Sequence, residues 1–391
     1  MELSPGYRST DIGVLPSDWA VKPLGELFAF KNGVNAERHA YGTGVRFVNV
    51  LETITHSHLK CDDVAGRVAL PASIRATYAV RRGDVLFNRT SETDSELALA
   101  ATYVDSEEVV FGGFVIRGRP TSDEIDPNYC GYALRARALR AQIIPLGQGA
   151  VRANIGQASL GRVLAPVPTV AEQRAIGEAI GDVDALLVGL DRLIAKKRDL
   201  KQAAMQQLLT GQTRLPGFQG EWKVRRMGDM LTVCHGRNQR EVETVDGLYP
   251  ILATGGQIGT ASRALYDKPS VLIGRKGTIN QPRYMDKPFW TVDTLFYSAM
   301  KDDHNAKYLY YRFCLIDWMQ YNEASGVPSL NARTIERVEV PAPEPKEQAA
   351  IAGVLTDMDS ELAALEARRN KTRALKQGMM QELLTGRTRL A

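Results

Sequence analysis

Two stretches of the chain place apolar residues at alternating spacings of three and four, with polar residues between them. This spacing is typical of the a and d positions of a long helix that packs against another helix along a narrow stripe. Each stretch follows a proline-rich segment, so we predict two helices of roughly 40 residues, each about 60 Å long. Thr169 is the expected N-cap of the first helix with Glu172 as its capping-box partner, and Gly211 and Gly386 are the expected stops. The apolar positions are Ile176, Ile180, Val183, Leu187, Leu190 and Ile194 in the first stretch, and Ile351, Leu355, Met358, Leu362 and Leu365 in the second.

These two stretches are copies of each other. Residues 160–215 and 335–390 align at a constant offset of 175, with 26 identities in 56 positions. A weaker repeat precedes each copy, because the residues after Trp19 resemble those after Trp222. The chain therefore divides into four predicted segments. These are a first variable domain at 1–159, a first helix repeat at 160–215, a second variable domain at 216–334 and a second helix repeat at 335–391.

The order of the repeats predicts a closed arrangement. The end of the second repeat would continue naturally into the residues before Trp19, as the first repeat continues into those before Trp222. A chain that closes in this way predicts pseudo-two-fold symmetry, with the two helices antiparallel in an intramolecular coiled coil. The alternative is that the helices pair between two copies of the chain.

Both variable domains carry short runs of β-branched and aromatic residues bounded by Gly, Asp or Asn, which are typical of strands. Helical stretches follow near 129–144 and 307–321. The predicted fold class is α+β, with two mixed α/β domains separated by the two long helices. The predicted strands lie at 45–50, 83–88 and 109–116 in the first domain, and at 249–252, 270–274 and 291–296 in the second.

Composition adds little to this picture. The 391 residues include 49 Lys and Arg against 45 Asp and Glu, a net charge of +4, so any affinity for nucleic acid must come from local patches. The four cysteines form no CxxC pair, and the sequence has neither a membrane-length apolar run nor a signal-peptide pattern. We therefore expect a cytoplasmic protein with free thiols.

Short motifs at the ends of the repeats point to a known family. Each helix opens with Pro-x-Pro-x-x-x-Glu-Gln, at 166–173 and 341–348, and closes with Leu-Leu-Thr-Gly, at 208–211 and 383–386. Each variable domain opens with a Trp followed by a small apolar-Gly step, at 19–25 and 222–228. This layout resembles the specificity (S) subunits of type I restriction–modification systems over nearly the whole chain.

The resemblance implies a DNA sequence-recognition subunit. Two target-recognition domains would each read one half of a bipartite sequence in double-stranded DNA, and the helix pair would set the spacer between the halves. The subunit would recruit two methyltransferase (M) subunits, which restriction/translocase (R) subunits join. It would perform no chemistry itself, so S-adenosylmethionine, ATP and Mg are expected only in the partner subunits.

Other functions were weighed against this one. The sequence has no P-loop and no amino-methyltransferase motif of Asn or Asp followed by Pro-Pro and an aromatic residue, so we predict no catalytic residue, no cofactor and no metal site in this chain. The alternative function is a coiled-coil scaffold or adaptor protein that does not bind DNA.

Polar and basic loops supply the candidate DNA contacts, since base edges and phosphates are read by Arg, Lys, Asn, Gln and Thr. In each domain one candidate turn directly follows a predicted strand. The alternative for every candidate is a solvated surface loop. The second-domain candidates are Arg275, Lys276, Thr278, Asn280, Gln281 and Arg283, with Arg237, Asn238 and Gln239 on another loop. The first-domain candidates are Asn88, Arg89 and Thr90, with Arg152 and Asn154 before the first long helix.

Overall fold

The structure is a computed structural model that describes residues 5–149 and 152–390. It comprises two compact units, each built from one variable domain and parts of both long helices. The first unit contains Met1–Gly189 and Arg369–Ala391, and the second contains Leu190–Arg368. Both helices therefore pass from one unit into the other.

The two long helices are present as predicted. They span Val170–Thr210 and Pro345–Leu383, and the glycines that follow, Gly211 and Gly386, adopt φ values of +76° and +67°. The left-handed backbone at these positions favours glycine and ends each helix. Six of the eleven seam positions are buried and the other five are half-buried. The buried ones are Ile176, Ile180, Leu190, Ile194, Ile351 and Leu355. Among the described residues, no helix is long and apolar enough to cross a membrane.

The start of the first long helix differs in one respect from the prediction. The Thr169 hydroxyl accepts a hydrogen bond from the Glu172 backbone N–H at 3.3 Å, which confirms the N-cap. The Glu172 side chain, however, does not return to Thr169. It is 5% exposed and accepts hydrogen bonds from Trp19 Nε1 at 2.9 Å and from Arg389 at 2.5 Å. The capping-box prediction is therefore wrong, because the carboxylate has two stronger donors.

The helix segments within each unit run antiparallel. In the second unit, Lys197 pairs with Glu361 and Lys201 pairs with Asp359, so residue numbers rise along one helix as they fall along the other. The first unit holds the equivalent pair between Asp184 and Lys376. These contacts lie within a single chain, as the intramolecular prediction required.

The first unit contains two mixed sheets and several short helices. The strand order of the larger sheet is non-sequential, so its pairings join distant parts of the chain. In that order the larger sheet contains Phe28–Asn32, Val115–Pro120, Val85–Asn88, Ala100–Tyr103 and His58–Leu59. The smaller sheet contains Arg67–Val68, Tyr41–Val48, Val109–Phe111 and Ala79–Val80. Two-stranded pairs join Tyr7–Thr10 with Gly13–Pro16, Ala20–Pro23 with Leu164–Val167, and Thr90–Ser91 with Ala153–Asn154. The α-helices are Leu24–Leu27, Val50–Thr55, Ala72–Tyr78, Pro127–Ala133, Arg137–Ile143 and Gln157–Gly161, and the 3-10 helices are Arg38–Ala40, Cys61–Asp63 and Ile144–Leu146.

The second unit is a smaller version of the same plan. One sheet contains, in order, Leu231–Cys234, Leu295–Met300, Ser270–Gly274 and Arg283–Met285. The other contains Gly256–Ala261, Tyr249–Ala253 and Trp290–Thr291, and a separate pair joins Lys223–Arg226 with Glu339–Ala342. The short α-helices are Met227–Met230, Ala306–Leu315 and Ala332–Arg337, and Trp318–Tyr321 is a 3-10 helix.

A Trp–Glu–Arg junction in each unit holds a variable domain to the helix ends. In the first unit Arg389 bonds both Glu172 and Asp18, and its hydrogen bond to Asp18 lowers the pKa of that carboxyl. In the second unit Arg214 and Trp222 both donate to the Glu347 carboxylate. The Tyr7 hydroxyl also donates to the Gly386 carbonyl at 2.8 Å. The described end of the chain thus lies against its beginning, as the repeat order predicted.

Candidate nucleic-acid interface

The basic turn of the second unit connects two antiparallel strands. The strand Ser270–Gly274 is buried along its whole length, and the chain returns through Arg283–Met285 after an eight-residue turn, 275–282. Glycine is required at positions 274 and 277, which flank Arg275 and Lys276. A Cβ atom on Gly274 would lie 2.2 Å from the Thr278 carbonyl oxygen, and Gly277 has a φ of +87°. The turn therefore has a fixed backbone shape.

Backbone hydrogen bonds fasten this turn to two neighbouring loops. The Arg275 N–H donates to the Thr294 carbonyl at 2.8 Å, and the Arg275 carbonyl accepts from the Leu330 N–H at 2.9 Å. Ile279 is fully buried and anchors the middle of the turn. The side chains of Lys276, Thr278, Asn280 and Gln281 are exposed.

Two arginines of this set are engaged within the protein. Arg275 is half-buried, and its guanidinium donates to the Asp293 carbonyl at 3.2 Å and lies 3.7 Å from the Asp293 carboxylate. Arg283 donates to the Thr254 carbonyl at 3.0 Å. Arg283 therefore supports the base of the turn, and the exposed polar groups lie at its tip.

The second candidate loop contacts the same segment, Thr291 to Thr294, as the basic turn does. The Arg237 N–H donates to the Thr291 carbonyl at 2.8 Å, and Trp290 Nε1 donates to the Arg237 carbonyl at 2.9 Å. Arg237 and Asn238 are exposed, and Gln239 is half-buried. The segment from Thr291 to Thr294 is thus bordered by both candidate loops of this unit.

The first unit presents an equivalent turn. The Arg89 N–H donates to the Phe114 carbonyl at 2.8 Å, and the Arg89 carbonyl accepts from the Ile155 N–H at 3.1 Å. Arg275 makes the same pair of backbone contacts, so the two arginines occupy matching positions. Thr90 Oγ1 donates to Asn154 Oδ1 at 2.6 Å across 64 residues of sequence. The two first-domain candidate sets therefore form one surface.

Asn88 and Arg152 play different parts on this surface. Asn88 is fully buried, its amide donates to the Glu96 carbonyl at 3.0 Å, and its side-chain oxygen accepts from the Thr90 N–H. It therefore shapes the turn from inside. Arg152 is exposed and forms an ion pair with Glu92 at 2.7 Å. DNA contact by these residues stays a prediction.

Both surfaces combine exposed amides, hydroxyls and cations with a nearby carboxylate. Amides and guanidinium groups can make paired hydrogen bonds to base edges, and ammonium groups can neutralise phosphates. Among the described residues, no group of three or more His, Cys, Asp or Glu side chains could hold a metal ion. The exposed amides, hydroxyls and cations are suited to recognition by hydrogen bonding.

Phe114 is a candidate that the sequence did not indicate, and it is 55% exposed beside the Arg89 turn. The interval 109–116 was predicted as one strand, but the structure divides it into Val109–Phe111 and Val115–Pro120. The signal for this turn was the Gly112–Gly113 pair, since adjacent glycines often interrupt a strand.

Comparisons with known proteins bear on the whole chain. The family model described as the type I restriction modification DNA specificity domain matches residues 219–373. The putative type I restriction enzyme MjaX specificity subunit of Methanocaldococcus jannaschii is 22% identical, over 98% of this chain and 97% of its own length. The chain is thus similar over nearly its whole length to a specificity subunit of a type I restriction enzyme. The resemblance seen in the repeat motifs is thereby confirmed.

Solved structures share the fold of this chain. The type I S subunit from M. genitalium has a TM-score of 0.63 at 15% identity, covering 98% of both chains. The HsdS subunit from Thermoanaerobacter tengcongensis has a TM-score of 0.54 at 17% identity, covering 95% of this chain and 98% of the other. The predicted α+β class with long helices is confirmed.

Proposed function

We propose that this chain is a specificity subunit that reads a bipartite sequence in double-stranded DNA, one half with each unit. The observation that carries the proposal is the matching position of Arg89 and Arg275. Each arginine follows a buried strand, donates its backbone N–H to one loop and accepts a backbone hydrogen bond from another. A chain that places two such turns on equivalent frames can present two separate reading surfaces.

The side chains around the two turns differ, which supports two different half-sites. The second unit offers Lys276, Thr278, Asn280 and Gln281 at the tip of its turn. The first unit offers Thr90, Asn154 and Arg152 at the corresponding place. Since each base pair presents its own pattern of donors and acceptors, different side chains select different sequences.

The long helices have two proposed roles. Their length would set the spacer between the half-sites, and their exposed faces would dock two methyltransferase subunits, which restriction/translocase subunits then join. The chain itself would be non-catalytic and act on cytoplasmic DNA, with S-adenosylmethionine, ATP and Mg held by the partner subunits. The names of the relatives, specificity subunits of type I restriction enzymes, support this division of labour.

The test is to co-express the chain with the methyltransferase subunit encoded beside it and to map methylated adenines genome-wide by long-read sequencing. We expect one motif of two short half-sites around a fixed gap, absent when the methyltransferase is expressed alone. A stable complex that adds no methylation would contradict the proposal and favour the scaffold function.

Single substitutions sharpen this test. Thr90→Ala should relax the bases allowed in one half of the motif, and Lys276→Ala should relax those in the other half. If either substitution altered both halves equally, the assignment of one half-site to each unit would be wrong.

A further inference from the structure

The first unit exposes an aromatic ring beside its candidate DNA-reading turn. Phe114 lies between the strands Val109–Phe111 and Val115–Pro120, and its side chain is 55% exposed. Leaving a phenylalanine in water forgoes the free energy that its burial would give. Exposed apolar groups of this kind gain their free energy when they contact a partner.

The backbone holds this ring in place. A Cβ atom on Gly112 would lie 2.5 Å from the Phe47 ring, and one on Gly113 would lie 1.9 Å from Asn35 Oδ1. The Val115 N–H donates to the Gly112 carbonyl at 2.9 Å. The turn is therefore packed tightly against the unit, and Phe114 projects from a rigid base.

Other apolar groups extend the same surface. Phe114, Tyr41 and Leu51 line one surface concavity, and Tyr41 and Leu51 are 44% and 68% exposed. Arg67 and Glu52 also line the concavity. The Glu52 carboxylate accepts a hydrogen bond from the Asn49 N–H at 2.9 Å, at the start of a helix. The surface thus combines exposed apolar groups with a cation, and such a cation can contact a phosphate beside a base edge.

The backbone of the Phe114 turn is bonded to the proposed interface. The Phe114 carbonyl accepts the Arg89 N–H at 2.8 Å, and Arg89 Nη1 donates to the Gly113 carbonyl at 3.4 Å. In the second unit, Thr294 takes the place of Phe114, since its carbonyl accepts the Arg275 N–H. The aromatic ring is therefore a feature of one reading surface and not of the other.

We propose that Phe114 reads a thymine in the first unit's half-site by contacting its 5-methyl group. The inference rests on the proposed function and names a specificity-determining residue for it. The thymine methyl is the apolar group of the major groove, and phenylalanine is among the side chains that contact it. A hydroxyl at the matching position of the second unit favours a polar contact there.

The experiment uses the complex with its methyltransferase subunits and duplexes that carry the mapped motif. Each thymine of the first unit's half-site is replaced in turn by 2′-deoxyuridine, which removes only the methyl group. Binding is measured with the wild-type chain and with Phe114→Ala, Phe114→Leu and Leu248→Ala. Leu248, 85% exposed in the second unit, is the matched control for loss of an exposed apolar side chain.

At one thymine, we expect deoxyuridine to weaken binding of the wild-type complex about threefold to tenfold. The same replacement should change binding of the Phe114→Ala complex less than about twofold, because the partner of the methyl group is already gone. In the Phe114→Leu complex, deoxyuridine should still weaken binding in part. In the Leu248→Ala complex, it should weaken binding as much as in the wild type.

Three results would overturn the inference. Equal deoxyuridine effects in the wild-type and Phe114→Ala complexes would show that another residue reads the methyl group. A wild-type complex that binds its motif but ignores every deoxyuridine would exclude the methyl contact while leaving the proposed function intact. Loss of complex assembly in Phe114→Ala would assign this surface to a protein partner. A wild-type complex with no sequence-specific binding would instead refute the proposed function, and the inference with it.

Discussion

The ammonium nitrogen of Lys376 lies 2.6 Å from one carboxylate oxygen of Asp184, and the Tyr132 hydroxyl donates to the other oxygen at 2.9 Å. The second unit repeats this contact, because Lys201 and Tyr311 both bond the Asp359 carboxylate. Each carboxylate therefore joins a variable domain, the first half of one long helix and the second half of the other.

Asp184→Ala should destabilise the first unit by about 1 to 3 kcal/mol, because it leaves a half-buried ammonium and a phenol without their acceptor. The change is measured by urea unfolding of the purified chain or complex. Asp182→Ala removes the same charge from an exposed position two residues away. It should cost less than about 0.5 kcal/mol. Equal effects of the two substitutions would contradict a specific role for Asp184.

Alkaline pH should weaken the same contacts. Burial and the hydrogen bond to the neighbouring carboxylate raise the pKa of Tyr132 above its usual value. The pKa of Tyr311 is raised by the same two causes. Tyrosine in an unfolded chain titrates near pH 10. Since the folded pKa is the higher one, the stabilisation is complete below about pH 10 and is lost as the pH rises further.

We therefore expect the Tm to fall above about pH 10 and Tyr132→Phe to flatten part of that decline. Thermal unfolding followed from neutral pH to about pH 11 checks this. An unchanged slope in Tyr132→Phe would show that other groups dominate the alkaline loss of stability.

Arg275→Ala combined with Lys276→Ala should abolish sequence-specific DNA binding by the complex, because both cations lie on the turn of the second unit. The slope of log affinity against log salt should fall by about 1 to 2, according to how many phosphate contacts are lost. Electrophoretic mobility shifts at several salt concentrations measure both quantities.

The control for this pair is Lys268→Ala combined with Lys287→Ala. These exposed lysines lie at the opposite end of the same strand pair, where Ser270 pairs with Met285. The control should retain specific binding. An unchanged affinity and salt slope in the Arg275 and Lys276 variant would contradict the assignment of the turn.

Glu92→Gln should strengthen DNA binding about twofold to fivefold. The Glu92 carboxylate neutralises Arg152 at 2.7 Å, and both side chains are more than half exposed. Removing that charge frees the cation and removes a repulsion with phosphate, worth up to about 1 kcal/mol for an exposed pair. Titration of the cognate duplex is the measurement. Weaker binding would mean that Glu92 positions Arg152 for its contact.

The helices could be predicted from sequence because their signals are local and repeated. The seam spacing around Ile176 and the glycine at 211 are read from neighbouring residues, and the second copy confirms both. The carboxylate of Glu172 could not be assigned in this way. Its partners, Trp19 and Arg389, are 153 and 217 residues away, so only the fold reveals that they outcompete the helix cap.

The candidate surfaces could be predicted only where their signals are local in the sequence. The correspondence of Arg89 and Arg275 follows from their positions after similar strands. The meeting of Thr90 with Asn154 depends on pairing between short strands far apart in sequence. The burial of Asn88 was hidden as well, because a polar residue in a turn gives no local sign that it points inward.

The division of each helix between the units has a consequence for synthesis. The first unit needs both Met1–Gly189 and Arg369–Ala391, whereas the second is the continuous stretch Leu190–Arg368. At about 5 to 20 residues per second, a ribosome spends roughly 10 to 40 s between the two parts of the first unit. Until the second part is made, Trp19 and Ile176 lack the apolar residues at the end of the second long helix, such as Leu383, that cover them. The unit that begins first is therefore completed last, and part of its apolar surface stays uncovered in the meantime.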